Sequence, residues 1–331
     1  MCIRDSALTY PDRWFGKKYQ DIIEMRSLVI RSKSSQTIKA KNHFIEENQL
    51  ISMAKRPTDI EMNFKNKPTY KMSFSDINEP MGPSASLERM KITQNVKVDP
   101  QIDYIISDDL KSVDQIKLLY QKTNIYQIMN ILSSGSLGKE DSQKMVPTRW
   151  GITAIDDILA KSMMERIRNY KQIEAYVIFE SKYLGNNFVI LLMPGNWEYE
   201  NFEAWAPGST WSQGADDVQI LEEYEPYSGR TSYAKLEAGG YYAARLGVCE
   251  AMDRMKRQAR VIVFREISEG YVIPIGVWQV RENSRNSFKN EARAFSTLTE
   301  ALDYISTRLT IPISRYKEQS IILRQKRLLD F

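Results

Sequence analysis

Phe188-Val189-Ile190-Leu191-Leu192-Met193 is the longest uninterrupted apolar run of this sequence. Its length suits a buried β-strand and falls far short of the roughly 20 residues with which a helix crosses a bilayer. A second strand-like segment, residues 174–179, precedes it, and Gly185-Asn186-Asn187 between the two has the composition of a turn. The sequence therefore predicts a buried β-hairpin at this point.

Helices and strands follow the hairpin in mixed order. We predict a helix over residues 241–258, strands over 260–267 and 271–280, and a last helix that runs from Thr297 to residue 308. Glu300 follows Thr297 by three residues, the spacing of a capping box. Pro312 is predicted to end the compact body.

The N-terminal half of the chain is predicted to be mainly helical. The sequence shows no internal repeat. Helices are predicted over residues 14–30, 42–54, 112–120 and 125–132, with one strand over 102–107. This irregular order favours an α+β fold with mixed helices and a largely antiparallel sheet over a doubly wound sheet.

A polar segment with four prolines, residues 55–86, separates two of these helices. So many prolines exclude long regular elements and predict an extended strap over the surface. The strap contains Met81-Gly82-Pro83-Ser84-Ala85, which suits ordinary loop punctuation and also a backbone that approaches a phosphate closely.

Composition limits the chemistry. The chain of 331 residues predicts about two domains, and its net charge of +4 is too small to establish nucleic-acid binding. With two cysteines and one histidine it can build neither a disulfide framework nor a four-ligand zinc site of thiolates and imidazoles. A reducing cytoplasm is the expected location, no cofactor is expected, and a carboxylate-held magnesium site stays open.

The C-terminus carries a candidate partner-binding peptide, Gln325-Lys326-Arg327-Leu328-Leu329-Asp330-Phe331. Gln325, Leu328 and Phe331 recur every third residue, so a 3₁₀ turn would place them on one side. An amide beside two apolar side chains suits a hydrophobic pocket with a polar rim. The peptide resembles the motif by which repair proteins dock on the DNA sliding clamp (PCNA), although that motif normally ends in two aromatic residues. The alternative is a helix end that packs on its own domain.

Longer segments resemble the archaeal Nre family of DNA-repair proteins. They are Val146-Pro147-Thr148-Arg149-Trp150-Gly151-Ile152-Thr153-Ala154-Ile155-Asp156-Asp157, Leu192-Met193-Pro194-Gly195-Asn196-Trp197-Glu198-Tyr199-Glu200 and Gly276-Val277-Trp278-Gln279-Val280-Arg281-Glu282-Asn283. The resemblance covers the chain from about residue 11 onwards. It implies repair of damaged DNA and, through Gln325, Leu328 and Phe331, binding to the sliding clamp.

The resemblance also implies a division into regions. Residues 1–10 are predicted to be an artefact or a disordered start, 11–214 and 215–318 the N-terminal-type and C-terminal-type domains, and 319–331 the clamp-binding tail. Family members typically begin with a four-cysteine zinc-finger-like segment, which this sequence lacks. Either that segment has been lost from the N-terminus or this member never had one.

The candidate anion ligands are two arginines near tryptophans, Arg149 and Arg281, and Arg245 of the helix that follows Gly239-Gly240. Arg149, Arg245 and Arg281 could hold phosphates, and the indole of Trp150 could stack on a base. The candidate carboxylates are Asp156, Asp157, Glu198 and Glu203, for magnesium or general-base chemistry. Structural explanations compete with these roles. Asp156 and Asp157 would lie in the first turn of a helix over residues 155–170, capped by Thr153, and arginine–glutamate neighbours commonly form structural ion pairs.

Three functions follow. The preferred one is a repair factor recruited by its C-terminal peptide, with the sliding clamp as partner, direct DNA contact left open and no membrane association. The second is an enzyme that processes nucleotide or nucleic-acid phosphodiesters in an arginine and carboxylate pocket. The third is a scaffold without catalysis, because no established catalytic set is present in the sequence.

Overall fold

The computed structural model describes residues 10–210, 212 and 214–325 of the chain. These residues contain eleven α-helices, which are α1 Tyr19–Ser27, α2 His43–Met53, α3 Pro100–Ser107, α4 Ser112–Leu119, α5 Ile125–Ser133, α6 Thr148–Ile167, α7 Gly239–Met255, α8 Trp278–Ser287, α9 Leu298–Ser306, α10 Ile313–Gln319 and α11 Ile321–Arg324. They also contain eleven strands, which are β1 Arg31–Lys33, β2 Ile60–Phe64, β3 Ser84–Ile92, β4 Lys171–Gln172, β5 Tyr176–Tyr183, β6 Asn186–Met193, β7 Glu198–Trp205, β8 Gln219–Glu225, β9 Arg257–Gln258, β10 Arg260–Ile267 and β11 Arg293–Phe295.

The predicted α+β class is confirmed. The hairpin predicted around the apolar run is formed by β5 and β6, which pair antiparallel inside a six-stranded sheet of order β11-β5-β6-β10-β7-β8. Within it β7 and β10 are parallel neighbours, and the other pairs are antiparallel. Among the described residues no helix has the length and apolarity that crossing a membrane requires.

The chain divides into two compact units, Met1–Leu159 and Ala160–Phe331. The six-stranded sheet belongs to the second unit, and the three-stranded sheet β1-β3-β2 belongs to the first. The division falls inside helix α6. The domain boundaries expected from the sequence, at residues 214/215 and 318/319, stay predictions.

In the first unit, the proline-rich strap is held by close backbone packing. It includes β2 and leads into β3, and the Nε of Arg26 in α1 donates a hydrogen bond of 2.6 Å to the carbonyl of Pro80. A β-carbon on Gly82 would lie 2.0 Å from the carbonyl oxygen of Val29 and 2.4 Å from that of Arg26. The small residues at 81–85 therefore permit contact with the end of α1.

In the second unit, one face of the large sheet carries the apolar core. Even-numbered β7 residues such as Phe202 face this side together with β10 residues such as Phe264, and the two rings stack 5.7 Å apart. Helices α9, α10 and α11 cover the face with buried side chains that include Ile305, Tyr316 and Ile322. Pro312 consequently does not end the compact body, because the two helices that follow it contribute to the core.

Several helices lie close to their predicted positions, and side-chain caps fix the starts of two of them. The Oδ1 of Asn42 caps α2 by accepting from the backbone N–H of Ile45 at 3.1 Å. Thr297 caps α9, and Glu300 completes the capping box. Helices α4 and α5 also lie close to their predicted positions.

Three element predictions are wrong. Residues 102–107 lie in helix α3, where Asp99 caps the end and Pro100 occupies the first turn, a position that proline tolerates. The predicted strand over 271–280 is irregular until α8 begins at Trp278. Thr153 is not an N-cap, because α6 begins at Thr148 and the Thr153 hydroxyl lies within reach of the carbonyl of Arg149 at 3.4 Å.

We expect Gly82→Ala to destabilise the first unit by about 1–3 kcal/mol or more, because the new methyl group would overlap two carbonyl oxygens. Thermal or urea unfolding of the purified chain measures the effect. Gly270→Ala is the matched control, since its β-carbon would meet only the Ser268 hydroxyl at 3.7 Å. Equal stability of the two variants would contradict the packing described.

Candidate functional site

Strand β7 directs its side chains to two faces of the sheet in strict alternation. Tyr199, Asn201 and Glu203 face helix α7, whereas Glu198 and Glu200 face the apolar core on the opposite side. The structure therefore does not bring the predicted carboxylates Glu198 and Glu203 together. This alternation of side chains between the two faces follows from the sequence once residues 198–205 are identified as a strand.

Glu203 forms a buried ion pair with Arg265 beneath the first turn of α7. The Nη1 of Arg265 donates to Glu203, and its Nε donates to the Oδ1 of Asn186 at 2.9 Å. A β-carbon on Gly240 would lie 2.1 Å from the Oε1 of Glu203. Glycine at this position thus lets the positive end of the helix approach the carboxylate directly.

Arg245 on α7 forms a second buried ion pair, with Glu225 of β8. Both side chains are fully buried, and the hydroxyl of Tyr241 donates to the same carboxylate at 2.8 Å. The guanidinium of Arg245 also lies 5.3 Å from the ring centres of Tyr241 and Tyr242. The positive charge is thereby neutralised inside the protein by one carboxylate and two aromatic faces.

A buried acid, Glu237, lies near the pair formed by Glu203 and Arg265. The Nδ2 of Asn201 donates to its Oε2 at 2.5 Å, and the Oδ1 of Asn201 accepts from the Tyr199 hydroxyl at 3.1 Å. Burial, followed by the negative charge of Glu203, raises the pKa of Glu237 well above its usual range. Burial likewise raises the pKa of Tyr199. Both groups are therefore favoured in their neutral forms, which suits an interior position.

The predicted anion ligands differ in exposure. Arg245 and Arg281 are fully buried in the second unit, and neither side chain reaches solvent in this structure. Arg149 and Trp150 belong to the first unit and are exposed in the first turn of α6. The anion-binding role of the three arginines and the base-stacking role of Trp150 stay predictions.

The aspartates of α6 do not occupy its first turn, contrary to prediction. Because the helix begins at Thr148, Asp156 and Asp157 lie more than two turns along it, with Asp156 fully buried and Asp157 partly buried. Among the residues that the structure describes, no group of three or more histidine, cysteine or acidic side chains is arranged to hold a metal ion.

The core-facing carboxylates of β7 anchor the last helix. Glu200 accepts from the Ser320 hydroxyl and from the backbone N–H of Ile321, each at 2.5 Å. Arg260 pairs with Glu198 at 3.2 Å and donates to the carbonyl of Ile322 at 2.8 Å. These contacts fix α11 on the sheet immediately before the candidate peptide. The sequence signal for these contacts is Ser320 as a helix cap. This signal is weaker than the three-residue spacing of the candidate peptide.

Only the first residue of the candidate peptide lies within the described part of the chain. Gln325 is exposed, and its backbone N–H donates to the carbonyl of Ile321 at 3.2 Å. Leu328 and Phe331 lie outside the described residues, so their predicted role rests on the sequence.

We expect Arg245→Met to destabilise the second unit by about 3–5 kcal/mol, because Glu225 would remain buried without its counter-ion. Adding Glu225→Gln should recover part of the loss in denaturant unfolding. Arg315→Met is the control, since Arg315 pairs with the exposed Asp217 and such pairs contribute about 1 kcal/mol or less. A loss in Arg245→Met no larger than in the control would contradict this assignment.

The pair formed by Glu200 and Glu222 predicts a pH effect on stability. Burial and the charge of Glu200 raise the pKa of Glu222 to about 8, against an ordinary 4.5. Between pH 4.5 and about 8, Glu222 is therefore more protonated in the folded protein than in the unfolded chain. Its contribution to the free energy of unfolding is greatest below pH 4.5 and is lost as the pH rises towards about 8.

Glu222→Gln should flatten this decline by about 1–2 kcal/mol, a value discounted because water screens the partly exposed side chain. Chemical denaturation between pH 5 and 8, as approximate limits of the titration, is the measurement. The exposed Glu269, changed to Gln, should leave the slope as in the unaltered protein. An identical slope in both variants would refute the role given to Glu222.

Comparison with known proteins places this arrangement in a family. The family described as Archaeal Nre, N-terminal, matches residues 3–212, and Archaeal Nre, C-terminal, matches residues 225–331. The DNA repair protein NreB of Archaeoglobus fulgidus is 34% identical over 326 residues, which are 97% of this chain and 82% of that protein. No solved structure matches the chain.

Two further relatives are named DNA repair protein NreA. The one from Haloferax volcanii is 30% identical over 318 residues, 93% of this chain and 76% of that protein. The one from Archaeoglobus fulgidus is 31% identical over 322 residues, 96% of this chain and 80% of that protein. These matches confirm the resemblance seen in the sequence, and the chain belongs to the archaeal Nre family.

Proposed function

We propose that this protein is a DNA-repair factor that its C-terminal peptide recruits to the DNA sliding clamp (PCNA). The observation that carries the proposal is the register of Gln325, Leu328 and Phe331 at the end of a chain whose relatives are named DNA repair proteins. Three residues per turn would place the amide and both apolar side chains on one side of a short helix.

The chemistry of the peptide suits an apolar pocket with an acidic or polar rim. Leu328 and Phe331 supply the apolar area, and burial of such side chains contributes about 1.5–3 kcal/mol each. Lys326 and Arg327 supply positive charge beside them. Residues 325–331 contain one aromatic residue, Phe331, so we expect them to dock more weakly than a motif with two aromatic anchors.

The attachment of the peptide supports this role. Ile322 is buried in the core, and Glu200 and Arg260 hold the backbone of α11 around it. Gln325 follows three residues later and is exposed. Phe331 lies nine positions after Ile322 in the sequence, a distance that fully extended chain would stretch to about 30 Å. A bound clamp would therefore be held close to the second unit.

The interior arginines and carboxylates are not part of the proposal. Arg265 neutralises Glu203, and Arg245 neutralises Glu225, in buried pairs. Their geometry accounts for the packing of α7 on the sheet, and it favours no particular reaction.

Calorimetric titration of the full chain with an archaeal sliding clamp tests the recruitment. We expect Leu328→Ala combined with Phe331→Ala to weaken binding by at least about 100-fold, from the loss of two buried apolar side chains. Leu329→Ala is the matched control, because Leu329 lies outside the three-residue register.

The control should bind the clamp within about threefold of the unaltered chain. Equal binding by the double variant and the unaltered chain would refute recruitment by this peptide. So would equal losses in Leu328→Ala and Leu329→Ala, since the register would then carry no information.

A further inference from the structure

Trp150 is unusually exposed for its size. Trp150 is 72% accessible to solvent. Tryptophan side chains are commonly well buried, because contact between so large an apolar surface and water is unfavourable. It occupies the first turn of α6, beside the exposed Arg149. A rigid indole face directed to solvent next to a guanidinium is a feature that the fold of the first unit does not require.

Positive charge is concentrated in two segments, residues 36–42 and 143–150, and the second of these ends at Trp150. Together they contain Lys39, Lys41, Lys144 and Arg149 and no acidic residue, which gives four positive charges. All four side chains belong to exposed residues. We call the two segments with Trp150 the basic indole surface.

Backbone hydrogen bonds hold the two segments together. The N–H of Met145 donates to the carbonyl of Ile38 at 2.8 Å, so Lys39 and Lys144 each adjoin a bonded residue. The N–H of Val146 donates to the carbonyl of Ser133 at 3.3 Å, which attaches the second segment to the end of α5. The bond between Met145 and Ile38 thus holds Lys39 of one segment near Lys144 of the other.

The first segment is also closed on itself. The N–H of Ala40 donates to the carbonyl of Thr37 at 2.9 Å, and the Nδ2 of Asn42 donates to the Oε1 of Gln36 at 3.1 Å. Asn42 caps α2 at the same time. These bonds form the loop before any ligand binds, which lowers the entropic cost of binding.

From these observations we infer that the basic indole surface binds single-stranded DNA. The lysines and Arg149 would contact phosphates, and a base would stack on Trp150. A single strand is favoured because its bases expose their faces, whereas those of a duplex are stacked on one another. The choice of DNA rests on the proposed repair function. The surface itself is separate from the clamp-binding peptide.

Fluorescence anisotropy of a labelled oligothymidine of about 12 nucleotides, titrated with the full chain, tests the inference. Trp150→Ala should weaken binding by about 5- to 100-fold through the loss of one stacked base, and Trp150→Phe should weaken it less. Tyr104→Ala is the matched control, because Tyr104 is also 72% accessible in the first unit, but is followed by Asp108 and Asp109. It should bind as the unaltered chain does.

The salt dependence of binding tests the charges separately. Four phosphate contacts predict a slope of about −2.8 for the logarithm of the association constant against that of the salt concentration. Lys39→Gln with Lys41→Gln should reduce its magnitude by about 1.4. Lys65→Gln with Lys67→Gln removes two other exposed charges of the first unit and should leave the slope unchanged.

Four outcomes would overturn the inference. They are no binding of oligothymidine by the unaltered chain, equal affinity of Trp150→Ala and Tyr104→Ala, equal or tighter binding of a duplex, and tighter binding of oligouridine. The last outcome would replace DNA by RNA. The variant Leu328→Ala with Phe331→Ala should retain DNA affinity while losing the clamp, so failure of this inference and failure of the proposed recruitment are distinguishable.

Discussion

Carboxylates buried on strand β7 impose the constraint on which the second unit depends. Removing a charge from water costs several kcal/mol even after the protein relaxes, so each carboxylate needs a partner inside the protein. Glu203 meets this requirement with Arg265, and Glu198 meets it with Arg260. Glu200 uses a hydroxyl and backbone N–H groups of the last helix instead. These requirements position α7 on one face of the sheet and α11 on the other.

Much of the fold could be predicted because its signals are local. An uninterrupted apolar run with a turn before it specified the hairpin, and Asn42 and Thr297 marked the starts of two helices. Predictions failed where a short apolar segment suits either a helix or a strand. Residues 102–107, predicted as a strand, form a helix, because Asp99 and Pro100 supply a helix start. The start of α6 was placed too late because Thr153 offered a second plausible cap.

The candidate site was less predictable because its contacts link distant parts of the chain. Arg245 was recognised as a notable residue, but its partner Glu225 lies 20 positions away on another element. No local pattern indicates that pairing. The exposure of Trp150 is likewise decided by what packs around α6 and not by the residue type. Conversely, the candidate partner-binding peptide is defined by its sequence, because the three-residue spacing of Gln325, Leu328 and Phe331 is a local pattern.

The attachment of α11 makes the integrity of the fold depend on residues 320–322. A nascent chain that stops before Ser320 would leave Glu200 without the three donors that residues 320–322 provide. Arg260 would lose its bond to the carbonyl of Ile322 as well. A chain truncated before Ser320 would therefore be less stable than the 331-residue chain, and cellular proteases would preferentially remove molecules that lack the candidate peptide.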